Sequence, residues 1–205
     1  MRVIVLTAAY PSPSDPQRAV YVENLARALK DGAGGRHLEI TVVAPRVHEA
    51  DPKEELRDGL RVRRFTYPSG NRRLKEMQGL QPWVLAAYFV SGIAVLCSEI
   101  RRSAPDVILA HWVLPCGPIA RVAAGAHGVP YFLSAHGSDL NHYARSSRAF
   151  RLLARESLRR ASLVLPVSAD LRRIIEVDYS IPPERIHVAR MGVDERFFGP
   201  GSRVS

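Results

Sequence analysis

Short runs of branched apolar residues recur along the chain and alternate with longer stretches whose apolar positions are spaced for a helix face. Runs of four to eight residues suit buried strands, so the alternation predicts βαβ units and a mostly parallel sheet. Arg2–Thr7 is predicted as the first strand. A proline-broken loop over 8–15 follows it, then a helix from about Gln17 to Lys30 on which Val20, Leu25, Ala28 and Leu29 share a face. Asp31-Gly32-Ala33-Gly34-Gly35 stops that helix. The cluster follows a helix and precedes a strand, the reverse of a dinucleotide fingerprint, so it reads as a turn. Strands are predicted over Leu38–Val43 and Leu60–Tyr67, the second toward a sheet edge, with a polar stretch over 45–58 between them and a basic loop over 70–79 after them.

Residues 77–98 contain no charged side chain, a length that meets the crude requirement for a membrane-spanning helix. Gln78, Gln81 and Pro82 spoil its start and Ser91-Gly92 interrupt it, which favours a helix packed on the sheet or lying partly at an interface. The second half repeats the alternation. Strands are expected at Asp106–Ala110, Tyr131–Ala135, Leu163–Val167 and, briefly, Ile186–Ala189; helices are expected at Pro118–Ala126, Ser147–Arg160 and Ala169–Asp178. The fold class is therefore α/β, a Rossmann-like three-layer domain. It is predicted to cover 1–198, with 199–205 reading as the start of a linker.

Composition narrows the choice of partner without naming one. With 205 residues, 46% hydrophobic and 24% charged, the chain has enough apolar material for one well-buried domain. A net charge of +9 draws the protein to anions: nucleic acid, acidic lipid or a phosphorylated substrate. No recognition-helix, zinc-finger or RNA-binding signature is present, which argues against nucleic acid. Two cysteines, Cys97 and Cys116, support neither a disulfide framework nor a zinc site. The apolar start lacks a cleavable small-residue site and reads as a strand, so the protein is expected in the cytoplasm.

In open parallel sheets, ligands collect beyond the carboxyl ends of the strands, and four loops there carry candidate chemistry. Tyr10, Ser14 and Arg18 belong to the first loop, which is either a phosphate-holding turn before a helix N-terminus or a stiff connection with a solvated arginine. His111 and Trp112 end the strand before residue 113 and can form a stacking and hydrogen-bonding wall. The third loop, His136-Gly137-Ser138-Asp139, joins an imidazole, a glycine that permits close approach and a carboxylate able to accept from hydroxyls. No G-x-S-x-G elbow surrounds either serine, which disfavours a hydrolase triad, and His136 with His142 is poorly spaced for a metal. In the fourth, Ser168 suits a helix N-cap.

Tyr10-Pro11, His136-Gly137-Ser138-Asp139, Val167-Ser168 and Met191-Gly192-Val193-Asp194 with Phe197-Phe198 stand in an order that resembles the N-terminal, acceptor-side half of the retaining, GT-B fold glycosyltransferases of family 4. The resemblance spans nearly the whole chain. It implies sugar transfer from a nucleotide-sugar co-substrate to a sugar or lipid-linked acceptor, with no metal and no cofactor. It places His136 at the donor sugar as the catalytic-site residue, Gly137, Ser138 and Asp139 at the sugar or orienting the loop, and Tyr10, Ser14, Arg18, His111 and Trp112 toward the acceptor. Two positions depart from the pattern: Gln17-Arg18-Ala19 stands where a glycine pair is usual, and Met191 where an asparagine is. The basic pair and Glu-x7-Glu motif of the donor half lie nowhere in these residues, so the chain is expected to be half of an enzyme, lacking its C-terminal donor domain. A sugar- or polyanion-binding module without turnover is the alternative. Arg148, Arg151, Arg155, Arg159 and Arg160 on one predicted helix offer either a peripheral contact with anionic membrane or a solvated face paired with Glu156.

Overall fold

A computed structural model describes residues 1–32, 38–77 and 81–192. Seven strands, β1 (Arg2–Thr7), β2 (Glu39–Arg46), β3 (Glu54–Arg57), β4 (Leu60–Thr66), β5 (Val107–His111), β6 (Tyr131–Ala135) and β7 (Leu163–Pro166), join in one sheet. Their order is β3-β4-β2-β1-β5-β6-β7, and every pairing except β3 with β4 is parallel. The order reverses at β1, whose carboxyl end therefore sits at the topological switch point where such sheets bind ligands.

Strand β1 is a continuous apolar run because both of its faces are covered. Val3 and Val5 join Val22 and Ala26 of helix α1 (Val20–Asp31) in one core. Ile4 and Leu6 point the other way, into the core built by α2 (Pro82–Ser103), α3 (Val113–His127), α4 (Arg148–Arg160) and α5 (Ala169–Tyr179). Leu96, Ile119, Leu158 and Ile175 are the inward side chains of these four helices. The expected three-layer α/β class is thus observed.

Several boundaries differ from expectation, each for a physical reason. The polar stretch over 45–58 contains a strand, β3, that apolar patterning could not show: its residues carry charge because it is the antiparallel edge, where charges discourage pairing with another chain. Leu60–Thr66 is consequently second from the edge. Helix α1 begins at Val20 rather than Gln17 because Ala19 adopts a left-handed conformation, φ 48°. Helix α3 begins at Val113, well before Pro118, and is kinked at Leu114. The strand expected over 186–189 reduces to a single bridge between Ile186 and Val164. The cap expected at Ser168 is present, its side chain accepting from the N–H of Leu171, and Ser147 caps α4 in the same way by accepting from Phe150. The glycine turn over 33–35, the Val193-Asp194 turn, Phe197-Phe198 and the linker over 199–205 lie outside the described residues.

Helix α2 is long and apolar enough to cross a membrane by length and composition. It packs instead along the sheet through Val84, Tyr88, Gly92, Leu96 and Ile100, and a fully buried carboxylate, Glu99, pairs with Arg63 of β4 at 2.8 Å. Gly92 permits a close approach to α3, since a Cβ there would meet Ile119 at 2.8 Å. The opposite face, Trp83, Ala86, Val90 and Ala94, is exposed and wholly apolar.

Candidate active site

The loop after β6 is built around Asp139. This side chain is fully buried, and its carboxylate accepts from four main-chain N–H groups: Val113 at 2.7 Å, Gly137 at 2.7 Å, Leu140 at 3.1 Å and His136 at 3.2 Å. Burial pushes its pKa up, while the N–H donors pull it down. Because Val113 begins α3, one carboxylate fastens the ends of β5 and β6 together. Gly137 makes this possible with a φ of 107°, open to glycine but strained for other residues. The short π-helical segment Asp139–Tyr143 follows directly.

Two histidines meet across the same strand ends. His111 is the last residue of β5 and is 1% exposed; its Nδ1 lies 3.1 Å from Nε2 of His136, which also lies 3.3 Å from Oγ of Ser134. Burial lowers the pKa of His136 to about 4, and burial with the neighbouring His136 ring lowers that of His111 to about 3, so both rings are neutral at pH 7. One ring proton therefore occupies the contact. Nε2 of His111 is buried without a hydrogen-bond partner among the described residues. An orphaned N–H is rarer in protein interiors than an unused acceptor, so the favoured arrangement has His111 donating from Nδ1. His136 then carries its own proton on Nδ1, as a donor.

An aromatic wall completes this side. Trp112, held at φ 68°, packs over His136 with ring centroids 4.6 Å apart and planes 32° from parallel. Tyr21 of α1 closes on both, 6.0 Å from Trp112 and 5.8 Å from His136. In front lies a cavity of about 900 Å³.

Of the residues singled out from sequence, Arg18, Trp112, His136 and Ser138 line this cavity. His111, Gly137 and Asp139 support its wall from behind. Tyr10 and Ser14 do not line it: Tyr10 is buried beside Val3, Val5 and Val22, with burial raising its phenol pKa. The main-chain N–H of Ser14, an exposed residue, donates to Asp51 at 3.0 Å. Tyr10 misses the cavity because it lies between the sheet and α1, on the core side of the loop. Sequence reading also missed cavity residues, including Tyr21, Arg73, Leu85, Phe89, Leu114 and Phe150. Tyr21, in the first turn of α1 and three residues after Arg18, carried a usable signal; the others depend on tertiary packing.

Arg18 reaches the cavity with a side chain only 14% exposed, and burial lowers its pKa, helped by the adjacent Arg73. Arg73 bonds Asp15 at 2.6 Å, whereas Nη1 of Arg18 is 3.8 Å from that carboxylate and has no hydrogen bond among the described residues.

The family model described as a glycosyl transferase 4-like domain matches residues 19–192, from α1 through the last described residue. The chain belongs to this family. It is 28% identical over 214 residues to a protein of Bacillus subtilis (strain 168) named as a teichuronic acid biosynthesis glycosyltransferase, TuaC, covering 95% of this chain and 52% of that one. It is 33% identical over 172 residues to a 2-deoxystreptamine N-acetyl-D-glucosaminyltransferase of Streptomyces fradiae, covering 74% and 38%. Among solved structures it is similar to Anabaena HepE in complex with UDP-glucose, with a TM-score of 0.61 and 16% identity over 97% of this chain and 46% of that one. The glycosyl transferase 4-like chain thus spans about half the length, or less, of the relatives it matches, and its fold is that of a GT-B domain.

Proposed function

We propose that this domain forms the acceptor side of a retaining, metal-independent glycosyltransferase that moves a sugar from a nucleotide sugar to an acceptor in bacterial cell-surface polysaccharide or glycolipid synthesis. The observation that carries the reading is the pre-set His136 loop at the carboxyl end of β6: a neutral imidazole, backed by His111 and fixed by Asp139, lines the cavity. A neutral N–H at that place can bond a sugar hydroxyl without charge, and the loop already holds its geometry before a substrate arrives. Ser138 and Trp112 supply a hydroxyl and a stacking surface beside it. A nucleotide sugar is the co-substrate and its nucleotide belongs to a donor domain beyond these residues; similarity to the two transferases supports the reaction class.

The protein is further proposed to work at the cytoplasmic face of the membrane. Arg148, Arg151, Arg155 and Arg159 recur at helical spacing on the exposed face of α4, and among the described residues none forms an ion pair, with Glu156 or any other acid. Vesicles containing anionic phospholipid should sediment the protein and neutral vesicles should not; equal behaviour with both removes the membrane contact. The reaction itself is tested by supplying the native protein with radiolabelled nucleotide sugars and membrane extract, where labelled saccharide or glycolipid is expected. Binding of the nucleotide sugar with neither labelled acceptor nor hydrolysis would favour the non-catalytic module.

A further inference from the structure

Two side chains from neighbouring strand ends converge on one nitrogen of His136. Nδ1 of His111, at the end of β5, lies 3.1 Å from Nε2 of His136, and Oγ of Ser134, in β6, lies 3.3 Å from the same atom. Both approaching residues are buried, His111 to 1% exposure and Ser134 to 5%. For the Ser134 hydroxyl this is the sole hydrogen bond among the described residues, and the other ring nitrogen of His111 has none. Nδ1 of His136 differs from both: among the described residues it has no hydrogen-bond partner, it is not buried, and its ring lines the cavity.

These positions decide which nitrogen of His136 carries the proton. A proton on Nε2 would reverse the contact with His111, push the His111 proton onto its unpartnered Nε2, and leave the buried Ser134 hydroxyl with no acceptor. A proton on Nδ1 lets the lone pair of Nε2 receive both buried donors at once. A free imidazole side chain prefers the other tautomer, with its proton on Nε2, so the strand ends oppose the preference of the ring itself. We infer that His111 and Ser134 are positioning residues that hold His136 in its Nδ1–H tautomer, so that the ring offers the substrate a hydrogen-bond donor and no base. The inference rests on the transferase reading and specifies how its central side chain acts. The substrate atom facing Nδ1 is then an oxygen with a free lone pair, and the neutral ring keeps no lone pair on the cavity side with which to take a proton.

Nitrogen NMR of the native protein, labelled with 15N in histidine alone and measured at pH 7, reads the tautomer directly, because protonated and bare ring nitrogens resonate far apart. His136→Gln identifies the His136 signals. Nδ1 is expected to carry the proton in both His136 and His111, and a proton on Nε2 of His136 overturns the inference. The two donors are then removed by His111→Leu and Ser134→Ala, and His111→Asn restores one of them, since its side-chain NH2 takes the place of Nδ1. The double variant His111→Leu with Ser134→Ala should move the His136 proton toward Nε2 and lower kcat for sugar transfer by about tenfold or more, with KM for the nucleotide sugar changed less. Exchanging Leu for Asn at residue 111 should recover most of the rate and the Nδ1–H signal, which a merely structural role would not require. Ser134→Ala alone, the loss of a single oxygen, carries the same comparison should the double variant not fold. Native turnover in a variant whose tautomer has moved overturns the positioning role. Sugar transfer by a native protein with His136 protonated on Nε2 sinks the inference and leaves the transferase reading standing; the expected tautomer without any sugar transfer supports the assignment of the proton and removes the transferase.

Discussion

The loops that follow β1 and β6 open onto the same cavity, yet they are held in opposite ways. After β6, a buried carboxylate gathers four main-chain N–H groups, and the histidine it positions is backed by a second buried histidine. After β1, the buried Arg64 guanidinium donates to the Pro11 carbonyl at 2.8 Å, but the turn beyond it is held at its rim: Ser12 and Asp15 exchange main-chain bonds, Ser14 donates to Asp51, and Asp15 pairs with a partly exposed Arg73. Interior bonds in low dielectric are strong and indifferent to salt, and rim pairs are weak and screened. The turn after β1 is therefore the more adjustable of the two, while the loop after β6 presents a fixed donor group.

The largest expected effect that sharpens this contrast is at Asp139. Asp139→Asn turns one acceptor oxygen into a donor facing N–H groups, and urea unfolding should show a loss of roughly 3 kcal/mol or more; a loss near zero would mean the carboxylate does not organise the loop. The second effect is pH dependence. His111 and His136 have folded pKa values of about 3 and about 4, both below the unfolded value near 6.5. The unfolded chain thus binds more protons between those values. The stability these rings contribute is fully present above about pH 6.5 and is lost as the pH falls toward 4, at up to about 1.4 kcal/mol per pH unit for each histidine. His111→Phe should flatten that slope, and a wild-type midpoint that does not move between pH 7 and pH 5 would show that the rings are not buried neutral. The smallest effect is at the rim: Arg73→Gln should cost less than about 1 kcal/mol, and the difference from wild type should shrink further at high salt.

Much of this was legible in the sequence, and the residues show why the rest was not. Val3-Ile4-Val5-Leu6 announces a strand covered on both faces, and the same reading finds β2 and β5 to β7 to within a few residues. Glu54–Arg57 does not, because an edge strand is chosen for charge and gains its place only from its partner β4. At the site, His136, Gly137, Ser138 and Asp139 were readable as a loop after a strand, but the sequence left Asp139 either binding hydroxyls or orienting the loop. The structure assigns it the second task, since its oxygens are occupied by main-chain N–H groups. Tyr10 illustrates the opposite limit: its motif is visible, and its side chain faces the α1 core. The helical wall of Leu85, Leu114 and Phe150 was beyond reach, because residues 29 or more positions apart converge there only through helix packing.

The central claim, that a neutral His136 held from behind serves sugar transfer, is tested most directly by comparing the native protein with its His136→Gln variant in transfer of radiolabelled sugar from a nucleotide sugar to membrane-extracted acceptor. The account predicts a loss of about a hundredfold or more in turnover with an unchanged urea midpoint at pH 7. Transfer within a few-fold of the native rate would contradict it.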